Sequence, residues 1–259
     1  MTGAKVIAPI VLGVLMLALW EGIVRAVGIP PYILPGPILV AKTLVADWST
    51  LEPSLLVTVR ITLEALAAAV VIGGLLAILF SLSRWIELSL FPYAIILQVT
   101  PIVAIAPLII VWADNVELSL LICAWLVAFF PILSNTILGL RSVDPNLLDL
   151  FQLYGAGRWR TLADLRLPAA LPYFLGGLRI SGGLALIGAV VAEFVAGTGG
   201  NASGLAWRIL ESGYQLKIPR MFAALVLISA TGIVIFLLLS WLSHLLLRRW
   251  HESALVTER

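Results

Sequence analysis

Six long apolar runs constrain the fold of this chain more than any other feature of its sequence. They cover approximately residues 6–27, 55–80, 88–112, 118–140, 173–196 and 221–247. A helix of about 20 apolar residues matches the hydrocarbon thickness of a bilayer. The composition agrees, since 61% of the residues are hydrophobic and only 12% are charged, against about 25% charged in soluble domains. The sequence therefore predicts an all-α integral membrane protein with six transmembrane helices in one domain, residues 1–259.

Two of these runs contain residues that modify a simple spanning helix. The third run holds Pro92, Pro101 and Pro107, and three prolines in one span argue against a straight helix. Near the start of the second run, Arg60 and Glu64 have the i,i+4 spacing of an ion pair on one helix face. We expect that pair to be structural.

The fifth run carries a stripe of small residues at every fourth position. Small residues let a neighbouring backbone approach closely in lipid. The stripe includes one carboxylate, which is costly inside a membrane and is therefore a candidate functional group. The alternative is a structural role near the outer interface, with Arg208 or a backbone amide as the partner. The stripe consists of Gly177, Ser181, Ala185, Ala189, Glu193 and Gly197.

Candidate pathway residues come from the third and fifth runs. Polar side chains beside Pro101 can line a pathway, or they can satisfy backbone groups at a kink. Neither run holds a cluster of positive charge, which argues against a tight anion site in this chain. The candidate pathway set is Gln98, Thr100, Ser181, Ala185, Ala189 and Glu193.

A polar loop at residues 141–172 separates the fourth and fifth apolar runs. Arginines are concentrated in this loop and at the end of the chain, and such residues mark the cytoplasmic side of a membrane protein. With six spans, both termini share the side of the loop. The sequence thus predicts a cytoplasmic loop between helices 4 and 5, and cytoplasmic termini.

The polar loop contains its own helix signals. Asp144 followed by Pro145 is typical of a helix start, and Gly155 predicts a turn after a short amphipathic helix. A second short helix is expected at 159–165, with Pro168 ending it. The exposed apolar side chains of such a loop either dock on a soluble partner or lie on lipid headgroups.

Several kinds of chemistry are excluded by the sequence. There is no G-x-x-x-x-G-K-[ST] phosphate loop, so we expect no nucleotide site and no cofactor in this chain. No residues have metal-ligand spacing or the pattern of a hydrolase nucleophile, so no catalytic or metal residues are predicted. The net charge of +2 gives no reason to expect nucleic-acid binding.

The spacing within the polar loop resembles the signature of ABC-importer permeases, E-A-A-x3-G-x9-I-x-L-P. The glycine and the final Leu-Pro match, the acid is a conservative change, and the two alanines do not match. The resemblance implies that the loop couples the permease to an ATPase. The coupling residues would be Asp149, Leu150, Phe151, Tyr154, Gly155, Leu165, Leu167 and Pro168.

The neighbouring sequence resembles the nitrate, sulfonate and taurine branch of these permeases. Leu-Tyr-Gly-Ala-Gly-Arg-Trp in the loop and Leu-Pro-Ala-Ala-Leu-Pro after it carry this likeness. The resemblance implies a substrate that is either a nitrate-, sulfonate- or taurine-like anion or a heterocyclic vitamin precursor. A six-helix secondary transporter or channel without an ATPase is the alternative, but it would need no docking loop.

The resemblance also implies a set of partners and a location. We expect a second copy of this permease, two ABC ATPase subunits that bind ATP and magnesium, and an external or periplasmic solute-binding protein. The lipid bilayer would be that of the bacterial inner membrane. Transport would proceed by alternating access, with hydrolysis in the partner ATPase.

Overall fold

The computed structural model describes residues 2–197 and 203–248, with side chains from residue 7 onward. Every regular element in these residues is helical, which confirms the all-α prediction. The helices are α1 (Thr2–Val27), α2 (Pro37–Ala46), α3 (Trp48–Leu82), α4 (Arg84–Val99), α5 (Ile102–Ala113), α6 (Val116–Leu140), α7 (Pro145–Leu153), α8 (Arg158–Thr161), α9 (Leu167–Ala196), α10 (Leu205–Tyr214) and α11 (Ile218–Leu247).

Five helical stretches are long and apolar enough to cross a membrane. They are Ile7–Val27, Trp48–Leu82, Val116–Leu140, Arg158–Ala196 and Ile218–Leu247. The third apolar run of the sequence forms two helices, α4 and α5, which meet at an angle of 103°. The described part of the chain therefore has five helices that are able to span a membrane, or six if the bent pair forms one span.

The prediction that the run at 88–112 is not a straight helix is confirmed, because the chain leaves the helical conformation at Thr100. This residue is extended, with φ −72° and ψ 122°, as expected for the residue before a proline. Its amide and its hydroxyl both donate to the Ile96 carbonyl, at 3.1 and 2.7 Å. Pro92 and Pro107 lie within α4 and α5, so only Pro101 breaks the helix.

The expectation that Pro168 ends a short helix is wrong, because helix continues from Arg158 through Ala196. A π-helical turn at Leu162–Arg166 lies just before the proline. There the Leu167 amide donates to the Leu162 carbonyl, five residues earlier. A π turn widens the backbone, so the proline ring avoids the carbonyl it would otherwise meet one turn back. The α9 segment consequently begins at Leu167 rather than near 173, and it continues the helix that starts at Arg158.

The chain divides into two compact units. One comprises Met1–Val57 and Gly197–Ser229, and α2, α10 and the first part of α11 contribute to its core. An ion pair also joins distant parts of this unit. Arg220 Nε donates to Asp47 Oδ2 at 2.6 Å, and this hydrogen bond holds the pKa of Asp47 below its ordinary value. The buried apolar core consists of Val40, Leu51, Leu205, Ala223, Ala224 and Leu227.

The other unit comprises Thr58–Ala196 and Ala230–Arg259, and its core forms where α6 packs on α9. A Cβ added at Gly177 would lie 2.7 Å from the Pro131 carbonyl oxygen, and one at Gly188 would lie 2.8 Å from Ala124 Cα. Only glycine permits so close a backbone approach. The close helix contact predicted from the small-residue stripe is therefore confirmed.

Candidate coupling and pathway sites

The first helix of the polar loop has the start that its sequence predicts. The Asp144 carboxylate accepts a hydrogen bond from the Asn146 amide at 2.9 Å, and Pro145 occupies the first helical turn. Such a cap satisfies one of the amides that a helix start leaves without a partner. The nine-residue α7 is thus defined at its N-terminus by local chemistry.

The end of α7 is defined by Gly155. This glycine has φ +68°, a left-handed conformation that side chains disfavour. Its amide donates to the Gln152 carbonyl, and the Ala156 amide donates to the Phe151 carbonyl, both at 2.9 Å. This pair of bonds is a Schellman motif. Gly155, the glycine that matches the ABC-importer signature, therefore has a structural role in this chain, because it ends α7.

Much of the apolar surface of α7 is exposed. Leu153 and Tyr154 are 85% and 84% exposed, and Leu147 and Leu150 are each 44% exposed. Asp149 is also exposed, whereas Phe151 is half-buried. Farther along, Leu165 and Pro168 are half-buried and Leu167 is exposed.

The inner face of α7 borders two cavities of about 280 Å³ each. Both are lined by Leu148, Ser81 and Arg166. Arg166 Nη1 donates to the Ser81 carbonyl at 3.2 Å, which joins the π-helical turn to the end of α3.

An ion pair that the sequence analysis missed lies beside the first of these cavities. Arg141, at the end of α6, pairs with Glu87, in the first turn of α4. Arg84 lies 3.8 Å from the same carboxylate. The only local signal is the i,i+3 spacing of Arg84 and Glu87; no sequence pattern indicates Arg141. The predicted pair of Arg60 with Glu64 is confirmed at 2.8 Å.

Gln98 and Thr100 lie together at the break between α4 and α5. They line a cavity of about 330 Å³ whose other walls come from α5, α6 and α9. The lining residues are Leu97, Gln98, Val99, Thr100, Pro101, Ile102, Ile105, Leu126, Val127, Pro131 and Leu184.

The other candidate pathway residues lie elsewhere on α9. Ser181, Ala185 and Ala189 are buried, and Ser181 Oγ donates to the Ala128 carbonyl at 2.6 Å. None of the three lines the cavity at the break. Their assignment to the pathway stays a prediction, and the role that their contacts support directly is helix packing.

Glu193 is buried near the end of α9. Thr58 Oγ1 donates to its Oε1 at 2.7 Å, so a hydroxyl from α3 is one of its partners. Arg208, which the sequence suggested as a partner, donates to Ser54 and to Glu211, each at 2.8 Å. Glu193 and Thr58 are 135 residues apart in the chain, and no local pattern could have paired them.

Long apolar helices, a broken span beside a cavity, and an exposed amphipathic helix define a multi-pass membrane transport protein. Residues 69–251 match the family described as binding-protein-dependent transport system inner membrane component. The chain belongs to this family. It is therefore a permease subunit of an ABC importer, which favours the resemblance over a self-contained carrier or channel.

Several relatives match most of the chain, and two of them are named for heterocyclic solutes. The riboflavin transport system permease protein RibX of Chloroflexus aurantiacus is 36% identical, over 92% of this chain and 88% of its own length. The formylaminopyrimidine transport permease protein ThiX of Halalkalibacterium halodurans is 32% identical, over 94% of this chain and 96% of its own length. Permeases named for aliphatic sulfonates and taurine also match, as expected for the nitrate, sulfonate and taurine branch.

A solved structure of a transporter, described as "Crystal structure of an amino acid ABC transporter with histidines", has a similar fold. The TM-score is 0.60 at 20% sequence identity, and the match covers 76% of this chain and 92% of that one. This likeness concerns the fold alone.

Proposed function

We propose that two copies of this chain form the translocation pathway of an importer whose energy comes from two ABC ATPase subunits. The ATPases would bind ATP and magnesium on the cytoplasmic side, where both termini and the polar loop also lie. A solute-binding protein would deliver the substrate on the opposite side. The membership of the chain in the permease family supports this arrangement.

The observation that carries the proposal is the exposed apolar end of α7. Leu153 and Tyr154 are the most exposed apolar side chains of the polar loop, and both ends of their helix are capped. A preformed helix that presents an uncovered aromatic side chain suits a groove on a partner protein. Tyrosine is also among the residues most often critical in protein interfaces.

A continuous helix links this surface to the membrane core. Helix runs without a break from Arg158, three residues after Gly155, to Ala196, and Arg166 joins it to the end of α3. When the ATPases close around ATP, a displacement of α7 would move α9 as one piece. Such coupling requires two arrangements of the permease that ATP and substrate favour differently.

The cavity at the α4–α5 break is the proposed part of the pathway in each copy. Irregular backbone at membrane depth persists only where protein covers it or where it lines a water-filled space. Broken helices form the solute sites of several transporter folds for this reason. Gln98 supplies the exposed polar side chain at this break.

The substrates in the relatives' names fall into two broad groups, heterocycles and small oxyanions, and the second group includes bicarbonate. RibX and ThiX are named for riboflavin and formylaminopyrimidine, which are heterocycles. Other relatives are named for taurine and aliphatic sulfonates. Import of a small solute from one of these classes is the proposed activity.

The coupling role is tested by Tyr154→Ala, with Tyr214→Ala as the matched control. Tyr214 ends α10 and is 81% exposed, so both changes remove an equally exposed tyrosine. We expect Tyr154→Ala to weaken binding of the purified ATPase to the permease in nanodiscs by about 10- to 30-fold, the effect of losing one critical interface residue.

Binding would be measured by titrating ATPase onto labelled permease. Tyr214→Ala should change the Kd by less than about twofold, since surface changes away from an interface have small effects. An unchanged Kd for Tyr154→Ala, or equal effects of the two changes, would contradict docking through α7.

A further inference from the structure

The cavity at the α4–α5 break has no charged side chain in its lining. Gln98 and Thr100 are its only polar side chains, and its other lining residues are apolar or proline. Its volume of about 330 Å³ falls at the small end of the roughly 300–1,000 Å³ typical of ligand pockets. The cavity therefore suits a small solute and offers no counter-charge.

Gln98 is the one side chain in the lining that keeps both a donor and an acceptor available. The Thr100 hydroxyl already donates to the Ile96 carbonyl at 2.7 Å. The Gln98 amide has no hydrogen-bond partner within the described part of the chain. An amide presents both a donor and an acceptor to a solute.

Two prolines add backbone acceptors to the same cavity. Pro101 has no N–H, so the Leu97 carbonyl lacks its helical donor, and Pro131 leaves the Val127 carbonyl in the same position. All four residues line the cavity. Carbonyls without a helical donor favour a solute that brings N–H or O–H groups over one that brings only acceptors.

The helix ends at the break supply no net charge. An isolated helix N-terminus favours an anion, and a C-terminus favours a cation. Here α4 ends at Val99 and α5 begins at Ile102, so opposite partial charges lie side by side and largely cancel. The start of α5 has amides without a helical partner, and the end of α4 has carbonyls without one. Like Gln98, these helix ends therefore offer both donors and acceptors.

We propose that this cavity selects uncharged solutes that carry N–H or O–H donors, such as neutral nitrogen heterocycles. It would reject sulfonates and nitrate, because these anions bring only acceptors and would lose hydration without gaining a cationic partner. A free cation would find no carboxylate. The inference rests on the proposed pathway through the break, and it resolves the two substrate classes in favour of the uncharged one.

The test measures the charge preference of the cavity directly. Gln98→Cys places a thiol in the lining, and Gln215→Cys places one on the exposed C-terminal cap of α10. Each variant, assembled with its ATPase in membrane vesicles, is treated with three methanethiosulfonates: neutral hydroxyethyl, anionic sulfonatoethyl and cationic trimethylammonioethyl. The parent chain supplies the background, since its single cysteine, Cys123, is buried.

We expect both charged reagents to react more slowly at position 98 than the neutral one. Each rate at position 98 is divided by the rate of the same reagent at position 215. The resulting ratios for the charged reagents should be at least about tenfold below that of the neutral reagent, because an unpaired charge is costly away from bulk water. Equal normalised rates for a charged and the neutral reagent would overturn the proposal. Absence of labelling by all three would also overturn it, because the cavity would then admit no solute.

The same assay separates this inference from the proposed function. Addition of ATP and magnesium should change the labelling rate at position 98 if the pathway alternates between two arrangements. A charge preference without an ATP effect would contradict ATP-driven alternation and leave the selectivity of the cavity standing. A labelling rate that changes with ATP but shows no charge preference would support ATP-driven alternation and contradict the selectivity of the cavity.

Discussion

The contact between α6 and α9 predicts that two adjacent glycines respond oppositely to the same substitution. A Cβ at Gly177 would lie 2.7 Å from the Pro131 carbonyl oxygen and 3.0 Å from Asn135 Cβ. A Cβ at Gly176 would meet nothing within 4 Å. Gly176→Ala is therefore a control with the same chemistry and almost the same place in the chain.

The size of the effect follows from these distances. Carbon atoms pack best about 3.5–4.0 Å apart, so α6 and α9 must separate by roughly 0.5–1 Å at Gly177→Ala. Overpacking of this kind costs about 1–3 kcal/mol. Both substitutions gain up to about 1 kcal/mol of helix propensity, and this gain cancels in the comparison. The difference between the two variants should therefore be about 1–3 kcal/mol.

Thermal unfolding in nanodiscs, followed by tryptophan fluorescence, measures this difference. At about 2–4 °C per kcal/mol for chains of similar length, Gly177→Ala should melt roughly 2–12 °C below Gly176→Ala. The reasoning is refuted if Gly177→Ala melts at or above the temperature of Gly176→Ala, because the close approach would then carry no energetic consequence.

Two further predictions concern Gly155 and the ion pair of Asp47 with Arg220. Gly155→Val should reduce ATP-driven uptake while Gly155→Asn retains most of it, because φ +68° suits asparagine but not a β-branched residue; equal uptake by the two variants would exclude this explanation. The depressed pKa of Asp47 means that the pair stabilises the fold at neutral pH and loses this effect as the pH falls below about 4. The parent should thus exceed Asp47→Asn in free energy of unfolding by a constant amount of about 1 kcal/mol from pH 5 to 8. The difference in Tm between the two proteins should shrink in more acidic solution.

Local sequence signals predicted those features of the polar loop that depend on interactions between residues close in the chain. Asp144 caps α7 and Gly155 closes it, and both interactions span only a few residues. The pairing of Arg60 with Glu64 depends on helical spacing alone. The small residues of α9 could be recognised because their periodicity reveals a helix face before its neighbour is known.

The break and the buried polar contacts could not be predicted in the same way. Of the prolines at 92, 101 and 107, only Pro101 interrupts the helix, and the sequence does not rank them. The π-helical turn before Pro168 is an adjustment of the backbone without a residue pattern of its own. Thr58 with Glu193 joins α3 to α9, which requires knowledge of which helices are neighbours.

The unbroken helix from Arg158 to Ala196 has a mechanical consequence. Its 39 residues span about 58 Å at the usual rise of about 1.5 Å per residue, more than the thickness of the hydrocarbon core. As a rigid rod, it would convert a tilt of about 5° into a relative displacement of about 5 Å between its ends, nearly one helical turn. The π-helical turn that carries the helix past Pro168 thus preserves a lever, where a kink at the proline would have left a hinge.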